Sequence, residues 1–407
     1  MIGWARTPQL LTERLRGMLQ RHWRRLLQLR ERLRFSEEAF HLIVAGFVGV
    51  VGGTVDLLVY ALHSALETLV LFDTRDVLSA VRDLPWWWRL ALPAAGGLAA
   101  GLILHFGLRL VRMPGSTNLL EVVVAGDGRL RFRPGLLQSL SSMFSISTGG
   151  SIGREGPIAQ LSATLVSKMG QWFHWQPYRL RLLVACGAAA GIAAAYKAPV
   201  AGAVFAAQIV LGNFSMNLFA PLVVSAVVAA MVSRSILGVE AWYQMPALVA
   251  GQSMSQLPWF LALGLMAGAL GAVFMKSIRY AELLFNRIKQ PLYLRMALGG
   301  LAVGGIAILV PEVWGNGYRA ANGILDGQYA WNWLALLLFA KLFATAITVG
   351  SSAVGGVFTP TLFLGAALGG LLGSALNELG YAEGQPAAAF ALVGMGSVLS
   401  ATTHSPL

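Results

Sequence analysis

The residues that could do chemistry are concentrated in one short stretch, Gly149-Gly150-Ser151-Ile152-Gly153-Arg154-Glu155-Gly156-Pro157, which opens an apolar segment at Ile158. Gly153 and Gly156 let the backbone approach a ligand closely. Pro157 suits the first turn of a helix, where its missing N–H is no loss. The unpaired N–H groups of a helix start carry partial positive charge and favour an anion. Glu155 brings a carboxylate into that place, where it would compete with an external anion. Arg154 stands next to it, but adjacent residues on a helix do not face each other, which argues against a simple Arg154–Glu155 ion pair. A second stretch, Gly355-Gly356-Val357-Phe358-Thr359-Pro360, again sets glycines before a proline that opens an apolar helix. Together the two describe an anion site made mainly of backbone N–H. Gly149 to Gly153 also fits G-x-S-x-G, the turn that presents a nucleophilic serine in hydrolases. That turn joins a strand to a helix and needs a histidine base. The pattern here is helix–loop–helix, and His63 and His105 carry no companion motif, so no enzymatic role is expected.

The elements that hold these stretches must lie in a membrane. The chain has 407 residues, 56% hydrophobic and only 12% charged, about half the charge of a soluble domain. Forty-seven glycines and 16 prolines suit close helix contacts and broken segments. One cysteine excludes a disulfide scaffold and cysteine-based metal clusters, and six scattered histidines give no metal site; no cofactor is expected. Of the net charge of +12, residues 1–40 supply +5, with nine arginines against four glutamates. Leu11, Leu15, Met18, Leu19, Leu26 and Leu29 recur among them, as in a cytoplasmic helix lying on an anionic bilayer surface rather than one binding nucleic acid.

Apolar stretches fall near 42–71, 89–111, 135–148, 157–173, 180–195, 198–212, 216–238, 257–281, 296–311, 331–349, 357–378 and 387–401. Several are too short for a full span of about 20 residues. They predict an all-α polytopic bundle of tilted and broken helices. The arginine-rich start and the basic loop Arg129, Arg131, Arg133 place the N-terminus in the cytoplasm, with Trp86, Trp87 and Trp88 at the outer interface.

The chain also repeats. Pro199 closes GAAAGIAAAYKAP and Pro406 closes GMGSVLSATTHSP, 207 positions apart; Pro157 and Pro360 are 203 apart. This implies a cytoplasmic amphipathic segment at 1–41, a first membrane repeat at 42–238 and a second at 239–407. In an inverted repeat the two glycine–proline helix starts would face each other near the midplane. By the same symmetry a complete second copy would need roughly 40 more residues than follow Pro406.

GSIGREGP and GGVFTP resemble the second and third signature motifs of the CLC chloride channel and transporter family, and GAAAGIAAAYKAPVAG resembles the segment that follows the second. The likeness runs from about residue 42 to 407 and is nearest to the bacterial voltage-gated CLC-type chloride channels. It implies a CLC-like inverted-repeat fold in the inner membrane, passage of chloride, and a homodimer with one pore per subunit. Glu155 would be the gate, moving aside when protonated or displaced. Gly153, Arg154 and Gly156 would flank it, the Gly356-Val357-Phe358 backbone would bind the anion, and Ser116 would add a hydroxyl. The implied function is a voltage- or proton-gated channel acting as an electrical shunt; the alternative is a proton/chloride antiporter using the same site.

Two departures bear on this. The first family motif is usually GSGIP, whereas Gly115-Ser116-Thr117-Asn118-Leu119 keeps only its first two residues. Proton-coupled members usually carry an inward glutamate where this chain has Gln208 and Ile209, neither of which can carry a proton. The family's pore tyrosine would fall beyond Leu407. Asp56, His63 and Glu67 read as a partner-facing or interface stripe on the first span, with a crevice lining as the alternative. Lys197 reads as snorkelling to an interface, and Lys341 has no partner the sequence can name.

Overall fold

The computed structural model describes residues 37–71, 77–111, 119–124, 126–244, 256–381 and 387–403. The basic segment before Glu37 and the expected anion ligand Ser116 lie outside them. Among the described residues the first half of the chain gives α1 (Glu37–Leu71), α2 (Val77–Asp83), α3 (Trp86–Leu110), α4 (Leu119–Val124), α5 (Phe132–Ser147), α6 (Glu155–Trp172), α7 (Pro177–Tyr196), α8 (Pro199–Phe205) and α9 (Met216–Leu237). The second gives α10 (Leu257–Arg287), α11 (Leu292–Leu309), α12 (Tyr318–Leu325), α13 (Trp331–Gly350), α14 (Phe358–Glu378) and α15 (Ala387–Thr403). Eight of these helices are long and apolar enough to cross a membrane: α1, α3, α7, α9, α10, α11, α13 and α14. The long helices follow the apolar stretches closely; the first span begins at Glu37 rather than 42, and α2, α4 and α12 are elements the stretches do not show.

The same helix pairings recur along the chain. α6 lies on α7 as α14 lies on α15, and α1 lies on α7 as α10 lies on α15. Each half has its own apolar core: Val166, Leu183, Ala189 and Leu222 in the first, Phe274, Leu337, Phe363 and Phe390 in the second. A smaller cluster of Val55, Met143, Ile152 and Ile158, with Val349 against it, fills the seam between them.

Glycines set how close the helices come. A Cβ on Gly300 of α11 would fall 2.0 Å from the Pro93 carbonyl oxygen of α3, and one on Gly365 of α14 would fall 2.3 Å from the Gly394 carbonyl oxygen of α15. In lipid there is no hydrophobic drive to pair helices, so this backbone-to-backbone fit provides the attraction. Gly300→Ala should therefore overpack the α3–α11 contact by about 1–3 kcal/mol and lower the thermal midpoint of the detergent-solubilised protein. Gly305→Ala, which meets nothing within 4 Å, should leave that midpoint in place.

Candidate functional site

The two glycine–proline stretches meet. Gly153 and Gly356 form an isolated antiparallel bridge: the Gly153 N–H donates to the Gly356 carbonyl (2.7 Å) and the Gly356 N–H donates to the Gly153 carbonyl (2.9 Å). The starts of α6 and α14 are thereby pinned together, although they lie in different halves of the chain. The bridge changes the expected roles of two residues. The N–H groups of Gly153 and Gly356 satisfy each other and so do not face an anion. The backbone N–H groups of Gly156, Val357 and Phe358 make no hydrogen bond among the described residues, as expected in a first helical turn.

Glu155, the first residue of α6, is fully buried. Its side chain crosses to the start of α14. Oε1 accepts a hydrogen bond from the Tyr318 hydroxyl (2.7 Å) and another from the Thr359 hydroxyl. Oε2 lies over Gly153, where any Cβ would collide with it, and has no hydrogen-bond partner among the described residues. The Tyr196 hydroxyl is 3.4 Å from Thr359 Oγ1. The carboxylate thus reaches from the start of α6 to Thr359 at the start of α14.

Arg154 points elsewhere. Its guanidinium lies over the rings of Tyr60, Trp242 and Tyr318, at 5.3, 4.7 and 5.6 Å from their centroids. This confirms that Arg154 and Glu155 are not a simple ion pair. Arg154, Tyr318, His63, Glu67 and Lys197 line a cavity of about 420 Å³, and Tyr318 also bonds the buried carboxylate. A cation held by rings rather than by a carboxylate keeps its field available to a passing anion.

Three sequence expectations are corrected here. Asp56, His63 and Glu67 do not form an outward stripe. Asp56 is buried and accepts a hydrogen bond from Ser233 (2.8 Å), while His63 lies 2.7 Å from Ser147 Oγ and 3.2 Å from Glu67. They face inward because α1 is wrapped by α5, α7 and α9. Lys197 does not snorkel to an interface. It ends α7 in the left-handed conformation, is buried, and donates to the carbonyls of Leu237 and Glu240. Lys341, fully buried, has partners: it donates to the carbonyls of Val313 (3.1 Å) and Gly315 (2.9 Å), in the turn just before Tyr318. Gly317 takes φ +85° in that turn, a conformation that favours glycine, and so aims Tyr318 at Glu155.

Ser151 is fully buried, its Oγ 3.3 Å from Thr345 Oγ1, in a helix–loop–helix setting. Gln208 and Ile209 lie on a π-helical turn, 206–211, that continues α8. Tyr318 and Thr359 are the site residues missed from sequence. Gly315-Asn316-Gly317-Tyr318 is a third glycine-rich helix start and is the signal that could have found Tyr318. Thr359 sits inside a stretch read only for its backbone.

A family model for voltage gated chloride channels matches residues 96–407. The chain belongs to the CLC family. Among curated relatives, a ClcB-like protein of Ralstonia nicotianae is 44% identical over 370 residues, covering 90% of this chain and 86% of its own. The voltage-gated ClC-type chloride channel ClcB of Escherichia coli is 36% identical over 342 residues, covering 82% of this chain and 80% of its own. Among solved structures, a slow cyanobacterial Cl−/H+ antiporter superposes with a TM-score of 0.78 at 20% identity, over 91% of this chain and 87% of that one. A CLC-type fluoride/proton antiporter gives 0.70 at 25% identity, over 91% and 88%. These likenesses establish a multi-pass membrane protein of the CLC chloride channel and transporter family.

Arg154→Gln, which removes the cavity's aromatic-held cation, should slow chloride flux into liposomes about tenfold at low ionic strength. The deficit should shrink as salt screens the field.

Proposed function

We infer that this protein is a chloride channel of the bacterial inner membrane in which Glu155 is the gate, opened by protons or by voltage. The observation that carries this reading is the placement of the carboxylate. Glu155 reaches from the start of α6 to Thr359 at the start of α14, two helix starts whose unpaired backbone N–H groups favour an anion. An ionised carboxylate is the site's own anion. Protonation removes its charge, and with it the attraction of two helix N-termini and two hydroxyl donors. Chloride then takes its place, favoured by the N–H groups of Gly156, Val357 and Phe358 and drawn in along the cavity that Arg154 lines. Such a path would work as an electrical shunt for proton-pumping or acid-resistance pathways. The N-terminus would be cytoplasmic, and a second copy of the chain would complete a dimer with one path in each subunit.

Channel rather than antiporter is supported by Gln208 and Ile209, which put no carboxylate on the π-helical turn, and by the printed names of the ClcB relatives. The alternative, proton/chloride antiport through the same site, is supported by the fluoride/proton antiporter at 25% identity. The two differ in whether chloride movement drives protons uphill. In liposomes with an imposed chloride gradient, the channel reading predicts chloride efflux with no coupled change of external pH; proton movement at a fixed ratio to chloride would establish the antiporter. In either case Glu155→Gln should abolish the pH dependence of flux, leaving at neutral pH the rate that the unmodified protein reaches in acid. A variant that keeps the original pH profile would remove Glu155 from the gate.

A further inference from the structure

We propose that Tyr318 and Thr359 form a two-hydroxyl cradle that first latches Glu155 across the path and then, when the carboxylate withdraws, hydrogen-bonds the anion that replaces it. The proposal rests on Glu155 being the gate and adds side chains to a site otherwise made of backbone.

Both hydroxyls donate to the same oxygen, Oε1, from opposite elements: Tyr318 from the first residue of α12, Thr359 from the first turn of α14. Neither is free to turn away. The Tyr318 ring is packed against Tyr243 at 5.0 Å and Trp242 at 5.9 Å, with the Arg154 guanidinium over it at 5.6 Å. The turn that presents it is fixed from below by Lys341, through the carbonyls of Val313 and Gly315. Thr359 is fully buried, with the Tyr196 hydroxyl near its oxygen. Two donors held in place by rigid elements do not vanish when Glu155 leaves. They remain aimed at the same point, and an anion arriving there meets them ready-made, at no cost of reorientation.

Hydrogen bonds donated to a carboxylate favour its ionised form. Removing one donor should let protons open the path more easily. The other titratable groups around Glu155 are Asp56 on α1, Tyr196 on α7, Tyr243, Lys341 on α13 and the adjacent Arg154. All are retained when Tyr318 becomes phenylalanine.

The test uses the protein in liposomes and in detergent. Tyr318→Phe keeps the ring and its packing but not the hydroxyl. The midpoint of chloride flux against pH should shift upward by about one to two pH units. In a Glu155→Ala background, where the carboxylate is gone, adding Tyr318→Phe should weaken chloride binding measured by calorimetry about tenfold. Thr359→Val, which removes the other donor, should act in the same directions and serves if Tyr318→Phe does not yield a monodisperse protein. A midpoint and a chloride affinity both unchanged, while Glu155→Gln still abolishes pH dependence, would overturn the cradle and leave the gate intact. If Glu155→Gln itself kept the pH dependence, the gate assignment would be the one to fall.

Discussion

The arrangement depends on two backbone hydrogen bonds between Gly153 and Gly356. They join residues that are remote in sequence and belong to different halves of the chain. Through them the first turns of α6 and α14 are set side by side; a Cβ on Gly356 would come within 3.0 Å of the Gly156 nitrogen. Where backbone inside a membrane leaves the helical path, its polar groups need partners or a polar cavity. Here one N–H and one carbonyl from each stretch are satisfied by the other, while the N–H groups of Gly156, Val357 and Phe358 make no hydrogen bond among the described residues. An internal duplication serves this end well, because two copies of a glycine–proline helix start supply both sides of the site.

A carboxylate in such a place answers two needs at once. A pocket of unpaired N–H groups with nothing in it would carry the desolvation cost of each orphaned donor, about 1–3 kcal/mol apiece. In the proposed account Glu155 offsets that with its own charge and leaves when the charge is lost or another anion competes. Its neighbours are arranged so that this balance stays close. Arg154 is held by three aromatic rings and does not neutralise the carboxylate directly. Lys341 is engaged with two carbonyls, and Lys197 with two others. Under the proposed gate, a carboxylate paired with any of these cations would have to leave a buried charge unpaired in order to move, which costs about 3–5 kcal/mol.

Most of the helix boundaries were legible because apolar runs bounded by glycine, proline and charge are a strong signal in a lipid-facing chain, as at 216–238 against the observed Met216–Leu237. The facing helix starts were legible too, from two proline pairs at nearly equal offsets. What was hidden follows a common cause. Tyr318 is 163 positions from Glu155 and lies on a helix of eight residues whose polar Arg319 and Asn322 break the apolar signal. The partners of Lys341 and Lys197 are main-chain carbonyls, and carbonyls leave no trace in residue type. Asp56, His63 and Glu67 kept a regular spacing that fits an outward stripe as well as an inward one. Which way α1 turns is decided by the helices that wrap it, a tertiary fact that periodicity alone does not carry.

The central claim is that Glu155 and the permeating anion compete for one place between the starts of α6 and α14. Crystals of the Glu155→Ala variant grown in bromide test it most directly, by anomalous scattering. The account predicts a bromide peak within hydrogen-bonding reach of the Tyr318 and Thr359 hydroxyls in the variant, and none there in the unmodified protein while its carboxylate holds the position described. A variant with no bromide at that point, or an unmodified protein with bromide and the latched carboxylate together, would contradict it.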